Sequence, residues 1–426
     1  MLIYESISTY ILPLIYALVL SWLTALSFLR NGVSYKSVAM LFLVITHFLG
    51  YASLPFRISA KVSSYEYMPY EMINTVSTFS FVGILLFYIF SHAFSPSRRI
   101  NYNEKVLNGN PNIFLFVSLS FSLLGMIAFY ATNGISFNAD DYSSKIDGNA
   151  GSGFIIMMMS SFVPSVIVYC ITSKSKYTFI KSIIISLLFG MSYYILIGGS
   201  RNVMFSAFLM ATLICYSRGK IGIIKLAYIS LAGLALIGLM AIYRYSDVSL
   251  NGNEGALSVL IRYLTDSVSP VNYQEIAVRH YLDGGDAGGL YYFISQFTGF
   301  IPRFIWDSKP IVTMNSSYYF TTNILGLNNG LNMASTLLGS SMVLFGSWFY
   351  WLCYIVSGMV IRIMDGFLSS RKVGIIQLTL ISTLPFSFFM ARESLEFYLF
   401  ILLKNAITIT AIFLLYSVSY SIIPKK

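Results

Sequence analysis

Charged side chains are scarce in this sequence, where Asp, Glu, Lys and Arg make up 10% of the 426 residues. Soluble domains carry about 25% charged residues, so the composition excludes an ordinary soluble globular protein. The chain is instead 56% hydrophobic, with a mean hydropathy of +0.72. These values indicate a protein embedded in a membrane.

Cysteine and histidine are also rare, with three residues of each. The cysteines, Cys170, Cys215 and Cys353, all fall in apolar segments, which favours small buried side chains over a disulfide framework or a metal site. The adjacent Asp140 and Asp141 stand in a polar, Gly-rich segment that is typical of a solvated loop. We therefore expect neither a cofactor nor a metal.

Long apolar runs are what the sequence has in abundance, and about 20 apolar residues suffice to cross a bilayer as a helix. The segments are too long for barrel strands, and lipid offers no partner to unpaired backbone groups. We predict a single all-α polytopic membrane domain over residues 1–426, with about eleven transmembrane helices. The predicted spans are 7–29, 37–55, 73–94, 113–131, 154–172, 182–198, 202–216, 226–243, 336–361, 374–390 and 397–422.

The distribution of basic residues predicts the orientation. One side of the membrane receives the C-terminal end and the loops that follow the first, third, fifth, seventh and ninth spans. Together these segments hold 16 Lys and Arg residues but only two acids, Glu104 and Asp365. By the positive-inside rule this side is cytoplasmic, so the N-terminus and the long interval 244–335 are external. The net charge of +10 then reflects topology, and we expect no nucleic-acid partner. An interval of that length is expected to contain short helices of its own.

Two motifs place cations at the external side. Arg201 follows a Gly-Gly-Ser link between two spans that are too short to cross the whole bilayer easily. This link is therefore expected to lie below the membrane surface. The free amides at a helix N-terminus and a guanidinium at this position suit a phosphate. The segment IPRFIWDSKP, 301–310, holds Arg303 and Lys309 between two prolines, beside Trp306. The alternative for both motifs is an ordinary interfacial anchor.

Two further segments carry titratable groups. In NYQEIAVRHYL, 272–282, Glu275 and Arg279 are four residues apart and can pair on a helix, and His280 is the only histidine in an external loop. A solvated surface helix with one salt bridge is the alternative. In ARESLE, 391–396, Arg392 lies in a short external link, and Lys404 stands on the same helical face as Glu393. Snorkelling to the external edge is the alternative for Lys404.

The sequence resembles the oligosaccharide repeat-unit polymerases, the O-antigen polymerase (Wzy) group. Three motifs in order carry the resemblance: Gly-Ser-Arg at 199–201, the PR-x-x-W-x-x-KP block at 302–310, and ST-x-x-G at 335–339 with Gly346 after it. About eleven spans with one long external loop late in the chain fit the same group.

The resemblance implies a GT-C-like glycosyltransferase of the bacterial inner membrane that works at the periplasmic face without a metal. It would polymerise undecaprenyl-diphosphate-linked oligosaccharide repeat units, with a chain-length regulator protein as a further candidate partner. It assigns the diphosphates to Arg201, Arg303 and Lys309, with Arg279 and Arg392 as further candidates. The motifs do not fix the proton acceptor, for which Glu275 and His280 are the candidates.

Two other functions stay open at this point. An O-antigen ligase would share the architecture and the chemistry but use a different acceptor. A flippase or other transporter of lipid-linked oligosaccharides belongs to a different class, and it would be expected to show more spans and two related halves.

Overall fold

Helices account for the regular structure, and the described residues contain no strand. The computed structural model describes residues 2–60, 70–92, 110–134, 152–197, 202–222, 224–229, 231–233, 235, 268–301, 305–306, 308–309, 313–327, 332–369 and 375–422. The first eight helices are α1 Leu2–Asn31, α2 Tyr35–Ala60, α3 Tyr70–His92, α4 Pro111–Asn133, α5 Gly153–Met159, α6 Phe162–Thr172, α7 Thr178–Ile197 and α8 Asn202–Ser217.

The second half of the chain begins with short elements and ends with long ones. Its helices are α9 Val271–Leu282, α10 Tyr291–Ser295, α11 Ser316–Tyr319, α12 Thr336–Phe349, α13 Trp351–Leu368, α14 Ile375–Thr383, α15 Ser387–Arg392 and α16 Leu395–Ile422. Single 3₁₀ turns follow α10 and α14, and a π turn, Phe320–Ile324, follows α11. The predicted short helices of the long loop are therefore present as α9, α10 and α11.

Eight helical segments of the described chain are long and apolar enough to span a membrane. They are Tyr10–Asn31, Met72–His92, Pro111–Asn133, Gly153–Thr172, Thr178–Ile197, Trp351–Leu368, Ile375–Arg392 and Leu395–Ser421. Each overlaps one of the eleven predicted spans. Of the other three, Tyr35–Tyr51 and Val203–Ser217 are apolar but shorter, and the predicted span 226–243 lies largely outside the described residues. The chain is a multi-pass helical membrane protein.

The predicted span 336–361 is two helices, α12 and α13. A further break, a kink inside α12, comes at Gly346, whose φ of 72° lies in the left-handed region that glycine adopts without steric cost. Hydropathy could not show this break, because the apolar residues continue across it. The span at this place is therefore α13, and α12 packs against α9.

Small residues let the long helices approach one another closely, as is common in membrane bundles. A Cβ on Gly83 of α3 would lie 2.6 Å from the ring of Tyr354 in α13, and one on Gly190 of α7 would lie 2.3 Å from Met204 in α8. These contacts pair α3 with α13 and α7 with α8. The apolar core of the protein is built on these and similar pairs.

The residues just before α9 are fixed to the middle of α2. The Ser269 hydroxyl donates to the carbonyl oxygen of Thr46 over 2.8 Å and accepts from the amide of Gly50, also over 2.8 Å. A side chain on Gly50 would collide with Val271 and with the Ser269 carbonyl. Although 219 residues separate Gly50 from Ser269, the start of α9 is thus held against the middle of α2.

Candidate functional site

Helix α9 carries a carboxylate and a guanidinium one turn apart. Glu275 is buried, with 6% of its surface exposed, and it forms an ion pair with Arg279, whose side chain is 43% exposed. The predicted pairing is therefore present. The buried carboxylate fixes one side of the guanidinium, while the exposed part of the fork can bind an anion.

His280 stands next to Arg279 on α9 and is partly buried. Its Nε2 atom is buried and has no hydrogen-bond partner among the described residues. A Cβ on Gly285 would lie 2.3 Å from that nitrogen, so the turn that follows α9 passes directly over the ring. An imidazole nitrogen without a protein partner can exchange a proton with a ligand.

Buried polar side chains without a protein partner surround α9. Gln274, Ser335 and Thr336 are each fully buried, and their amide and hydroxyl atoms have no partner in the part of the chain that is described. Ser335 and Ala277 both lie against Gly339, so the ST-x-x-G motif packs on α9. Most buried polar atoms in proteins are hydrogen-bonded, and a group of unsatisfied ones suits a ligand rich in hydroxyls.

Thr336 is also strained. Its φ of 65° lies in the left-handed region, which β-branched residues rarely adopt and which costs roughly 1–3 kcal/mol. Such strain persists only where the surrounding structure enforces it, and it is frequent at functional sites. The motif that sequence comparison singled out therefore coincides with the unusual backbone.

Helix α15, which ends at Arg392, packs against α2. The carbonyl of Thr46 in α2 also accepts from Ser269, just before α9. Arg392 donates to the carboxylate of Glu393 over 3.1 Å. Its Nε atom is buried without a partner among the described groups. Helices α15 and α9 thus both pack against α2.

Burial raises the pKa of Glu393 to about 7, with Arg392 acting to lower it and Glu396 to raise it. Near neutral pH the pair therefore lies close to the point where the carboxyl takes up a proton. Arg392 then loses its charge partner and is more readily available to an anion.

Lys309 is engaged with its own loop. Its ammonium donates to the carbonyl oxygens of Gly299 over 3.1 Å and Ile301 over 2.9 Å, and the ring of Phe300 packs on Phe400 of α16 with 4.5 Å between centroids. These contacts place Lys309 beside the final helix. Binding of a diphosphate by Lys309 stays a prediction.

Two predicted cations, Arg201 and Arg303, lie outside the described residues, as do Gly198, Gly199 and Ser200 of the link before Arg201. Among the predicted site residues, the structure therefore brings Glu275, Arg279 and His280 together on α9, places Arg392 at the end of α15 and holds Lys309 beside α16.

Glu396 is a site residue that the sequence interpretation did not single out as a candidate. It is fully buried in the first turn of α16, and one carboxylate oxygen accepts a hydrogen bond from the hydroxyl of Ser316 in α11. The other oxygen has no partner among the described residues. The available signal was an acidic residue at the start of an apolar span, but the 80 residues that separate it from Ser316 concealed the pairing.

Tyrosine side chains from three segments gather beyond α9. Tyr292 meets Tyr319 edge to face with 4.9 Å between ring centroids, and the Tyr319 hydroxyl donates to the carbonyl of Asp286 over 2.9 Å. Burial raises the pKa of Tyr281, and the nearby Tyr319 and Tyr292 raise it further. These hydroxyls stay protonated at neutral pH, so they can act as hydrogen-bond donors.

The site thus defines a class of protein: a multi-pass helical membrane protein with paired charges, buried polar groups that lack protein partners, and aromatic rings on and around α9. In the described part of the chain, no three His, Cys, Asp or Glu residues are placed to hold a metal ion.

A family model described as WzyE protein, O-antigen assembly polymerase, matches residues 1–375. The chain belongs to this family, and its class of activity is the polymerisation of O-antigen. No solved structure matches the chain. The match includes α9 and the ST-x-x-G motif but ends before Arg392 and Glu396, so the roles of those two residues rest on geometry alone.

Proposed function

We propose that this protein polymerises undecaprenyl-diphosphate-linked oligosaccharide repeat units at the periplasmic face of the bacterial inner membrane. The observation that carries the proposal is the arrangement on α9, where the buried Glu275 holds the part-exposed guanidinium of Arg279 beside His280. The membership of the O-antigen assembly polymerase family supports the same reaction. In the proposed topology the N-terminus is periplasmic and the C-terminus cytoplasmic.

The proposed reaction transfers the growing glycan from its lipid diphosphate to a new repeat unit. A hydroxyl oxygen of the acceptor sugar attacks the anomeric carbon of the donor, and the bond between that carbon and the diphosphate oxygen breaks. The bonding electron pair leaves with the diphosphate, and the acceptor proton must be removed. The main barriers are the negative charge on the leaving group and the poor nucleophilicity of a neutral hydroxyl.

Arg279 is proposed to bind the leaving diphosphate, because a planar guanidinium donates two parallel hydrogen bonds to phosphate oxygens. Arg392 is proposed as a further diphosphate ligand, and Arg201, Arg303 and Lys309 remain proposed diphosphate ligands on sequence grounds. Together these fixed cations could supply the charge that a metal ion supplies in other enzymes, which supports a metal-independent reaction.

His280 is the preferred proton acceptor of the two candidates. Glu275 is occupied by Arg279, and a carboxylate paired with a guanidinium is a weaker base than one without a cation. The buried Nε2 of His280 has no such partner among the described residues. Glu275 is then proposed to orient Arg279.

Display of surface glycans on gels tests the proposal in a strain that lacks this gene. Complementation with the wild-type gene should restore the ladder of long chains. Variants Arg279→Ala, His280→Ala, Arg201→Ala and Arg303→Ala should give only core plus one repeat unit. Arg30→Ala, an exposed arginine at the end of α1, is the matched control and should keep the ladder.

The same gels distinguish the other candidate functions. If the Arg279→Ala strain shows no single units at its outer face, transport of the lipid-linked unit is affected and the polymerase proposal fails. If the strain that lacks this gene still forms long chains but keeps them on the lipid carrier, the protein acts as a ligase instead.

A further inference from the structure

The surroundings of Glu396 differ from those of every other buried acid described here. Its carboxylate is fully buried, forms no ion pair within the described chain, and accepts a hydrogen bond from the Ser316 hydroxyl on one oxygen. The Ser394 hydroxyl and the backbone amides of Ser316 and Glu396 also lie close to the carboxylate, and its Oε2 atom has no partner among the described groups. By contrast, Asp365 uses both oxygens to accept from the amides of Tyr35 and Lys36. A buried carboxylate oxygen without a donor is costly, and a ligand hydroxyl that donates to Oε2 would remove this cost.

Amide side chains continue the polar network beyond Ser316. The Asn315 amide nitrogen donates to the side-chain oxygen of Gln296 over 2.8 Å, and its oxygen accepts from the amide nitrogen of Asn332 over 3.3 Å. The Asn332 oxygen and the Ser317 hydroxyl are buried and have no partner in the described part of the chain. Three segments far apart in sequence therefore present open acceptors and a hydroxyl around the start of α16.

An apolar surface borders this network. Tyr319 lies three residues after Ser316, on the same side of the helix, and its ring meets that of Tyr292. Both rings are partly exposed. Flat aromatic surface beside carboxylate, amide and hydroxyl groups suits a molecule with an apolar ring face and several hydroxyls at its edge.

The chemistry of the network selects among ligand classes. A lone carboxylate disfavours a phosphate or another anion, and the described residues contain no group of acids that could hold a metal. A sugar ring can donate a hydroxyl hydrogen to Glu396, exchange hydrogen bonds with amide side chains, and place its C–H face on tyrosine.

We propose that Glu396, Ser316 and Asn332 form a subsite for the acceptor repeat unit, and that this subsite binds the hydroxyls of one sugar ring. This inference rests on the proposed polymerase function and adds a sugar-binding element to the proposed diphosphate ligands. Glu396 here is a binding and specificity-determining residue, and the proton acceptor remains His280.

Two soluble probes separate this subsite from the diphosphate site in the purified full-length protein in lipid nanodiscs. The first is the repeat-unit oligosaccharide released from its lipid by mild acid, and the second is farnesyl diphosphate. Glu396→Gln and Ser316→Ala should each weaken oligosaccharide binding about 10-fold or more, the loss expected for a hydrogen bond to a charged group. Ser316→Ala should leave farnesyl diphosphate binding unchanged, and Arg279→Ala should show the opposite pattern.

Matched controls come from helices α13 and α7. Asp365→Asn changes a buried carboxylate to an amide, and Ser186→Ala removes a buried hydroxyl that bonds only to its own helix. Neither should alter oligosaccharide binding. Thermal unfolding shows which variants fold, and Ser316→Ala decides the question if Glu396→Gln does not fold.

The proposal is overturned if a folded Glu396→Gln or Ser316→Ala protein binds the oligosaccharide as the wild type does, or if the wild type itself shows no saturable binding. Failure of the proposed function has a different signature. In that case the wild-type protein forms no glycan chains from lipid-linked repeat units, whatever the binding data show.

Discussion

The carboxylate of Glu275 pairs with the guanidinium of Arg279 one turn further along α9, and the two groups differ sharply in exposure. The Glu275 carboxylate is buried, and the Arg279 side chain is partly exposed. The pair therefore does more than stabilise a surface helix, for which both partners would be solvated and the gain would be at most about 1 kcal/mol. It holds a guanidinium in a fixed orientation where an anion can reach it.

Substitution of Arg279 should separate charge from geometry. Arg279→Ala is expected to lower the rate of chain formation roughly 100- to 1000-fold, as removal of one transition-state donor does elsewhere. The rate for Arg279→Lys should lie between those of the wild type and Arg279→Ala, because lysine keeps the charge but lacks the planar fork. Rates of polymer formation from lipid-linked units provide the measurement. Equal rates for Lys and Arg would show that the fork has no role.

Glu275 is expected to act only through Arg279. Glu275→Gln should reduce the rate, and the double variant Glu275→Gln/Arg279→Ala should be no slower than Arg279→Ala alone, because residues of one unit are not additive. The same rate assay applied to all three variants gives the coupling. If the two losses simply multiply, Glu275 contributes independently and its own role as proton acceptor has to be reconsidered.

His280→Ala should slow chain formation by roughly 100- to 10,000-fold, the usual contribution of a positioned general base. Imidazole added to this variant is expected to restore part of the rate, because it can replace the missing ring as a proton acceptor. His280→Asn, which keeps a polar group but cannot accept the proton efficiently, should respond to imidazole weakly. A rate for His280→Ala equal to that of the wild type would exclude the proposed role.

Glu393 predicts a specific dependence of stability on pH. Its pKa is about 7 in the folded protein and about 4.3 when unperturbed, so the folded state binds the proton more tightly. The stability contributed by the protonated carboxyl is present below the unfolded pKa and is lost as pH rises through 7. The Tm of Glu393→Gln should therefore equal that of the wild type near pH 4 and be higher than that of the wild type at pH 8. An advantage that is the same at both pH values would contradict the raised pKa.

Gly346 should be sensitive to substitution for conformational reasons alone. A Cβ at this position would meet only Ala287, at 3.9 Å, so Gly346→Ala creates strain from the positive φ without a collision. We expect a loss of roughly 1–3 kcal/mol in the free energy of unfolding. Gly366→Ala is the control, because Gly366 lies inside α13 with open space around it, and alanine there should stabilise. A neutral result at Gly346 would mean that the kink inside α12 tolerates other backbone angles.

The sequence predicts the features of this protein that depend on local pattern. Apolar runs locate the eight long spans, and the spacing of four residues between Glu275 and Arg279 predicts their pair. It does not locate the break at Gly346, because a left-handed glycine leaves hydropathy unchanged. It also misses the bond from Ser316 to Glu396 and the anchoring of Ser269 on Thr46, since both join distant segments and neither residue type is unusual alone.

The most direct test of the central claim is chain formation by the purified protein in liposomes supplied with lipid-linked repeat units. Wild-type protein should convert single units into a ladder of longer chains on a gel, and Arg279→Ala protein should leave them as single units. A ladder from Arg279→Ala equal to that of the wild type, or no chains from the folded wild-type protein, would contradict the account.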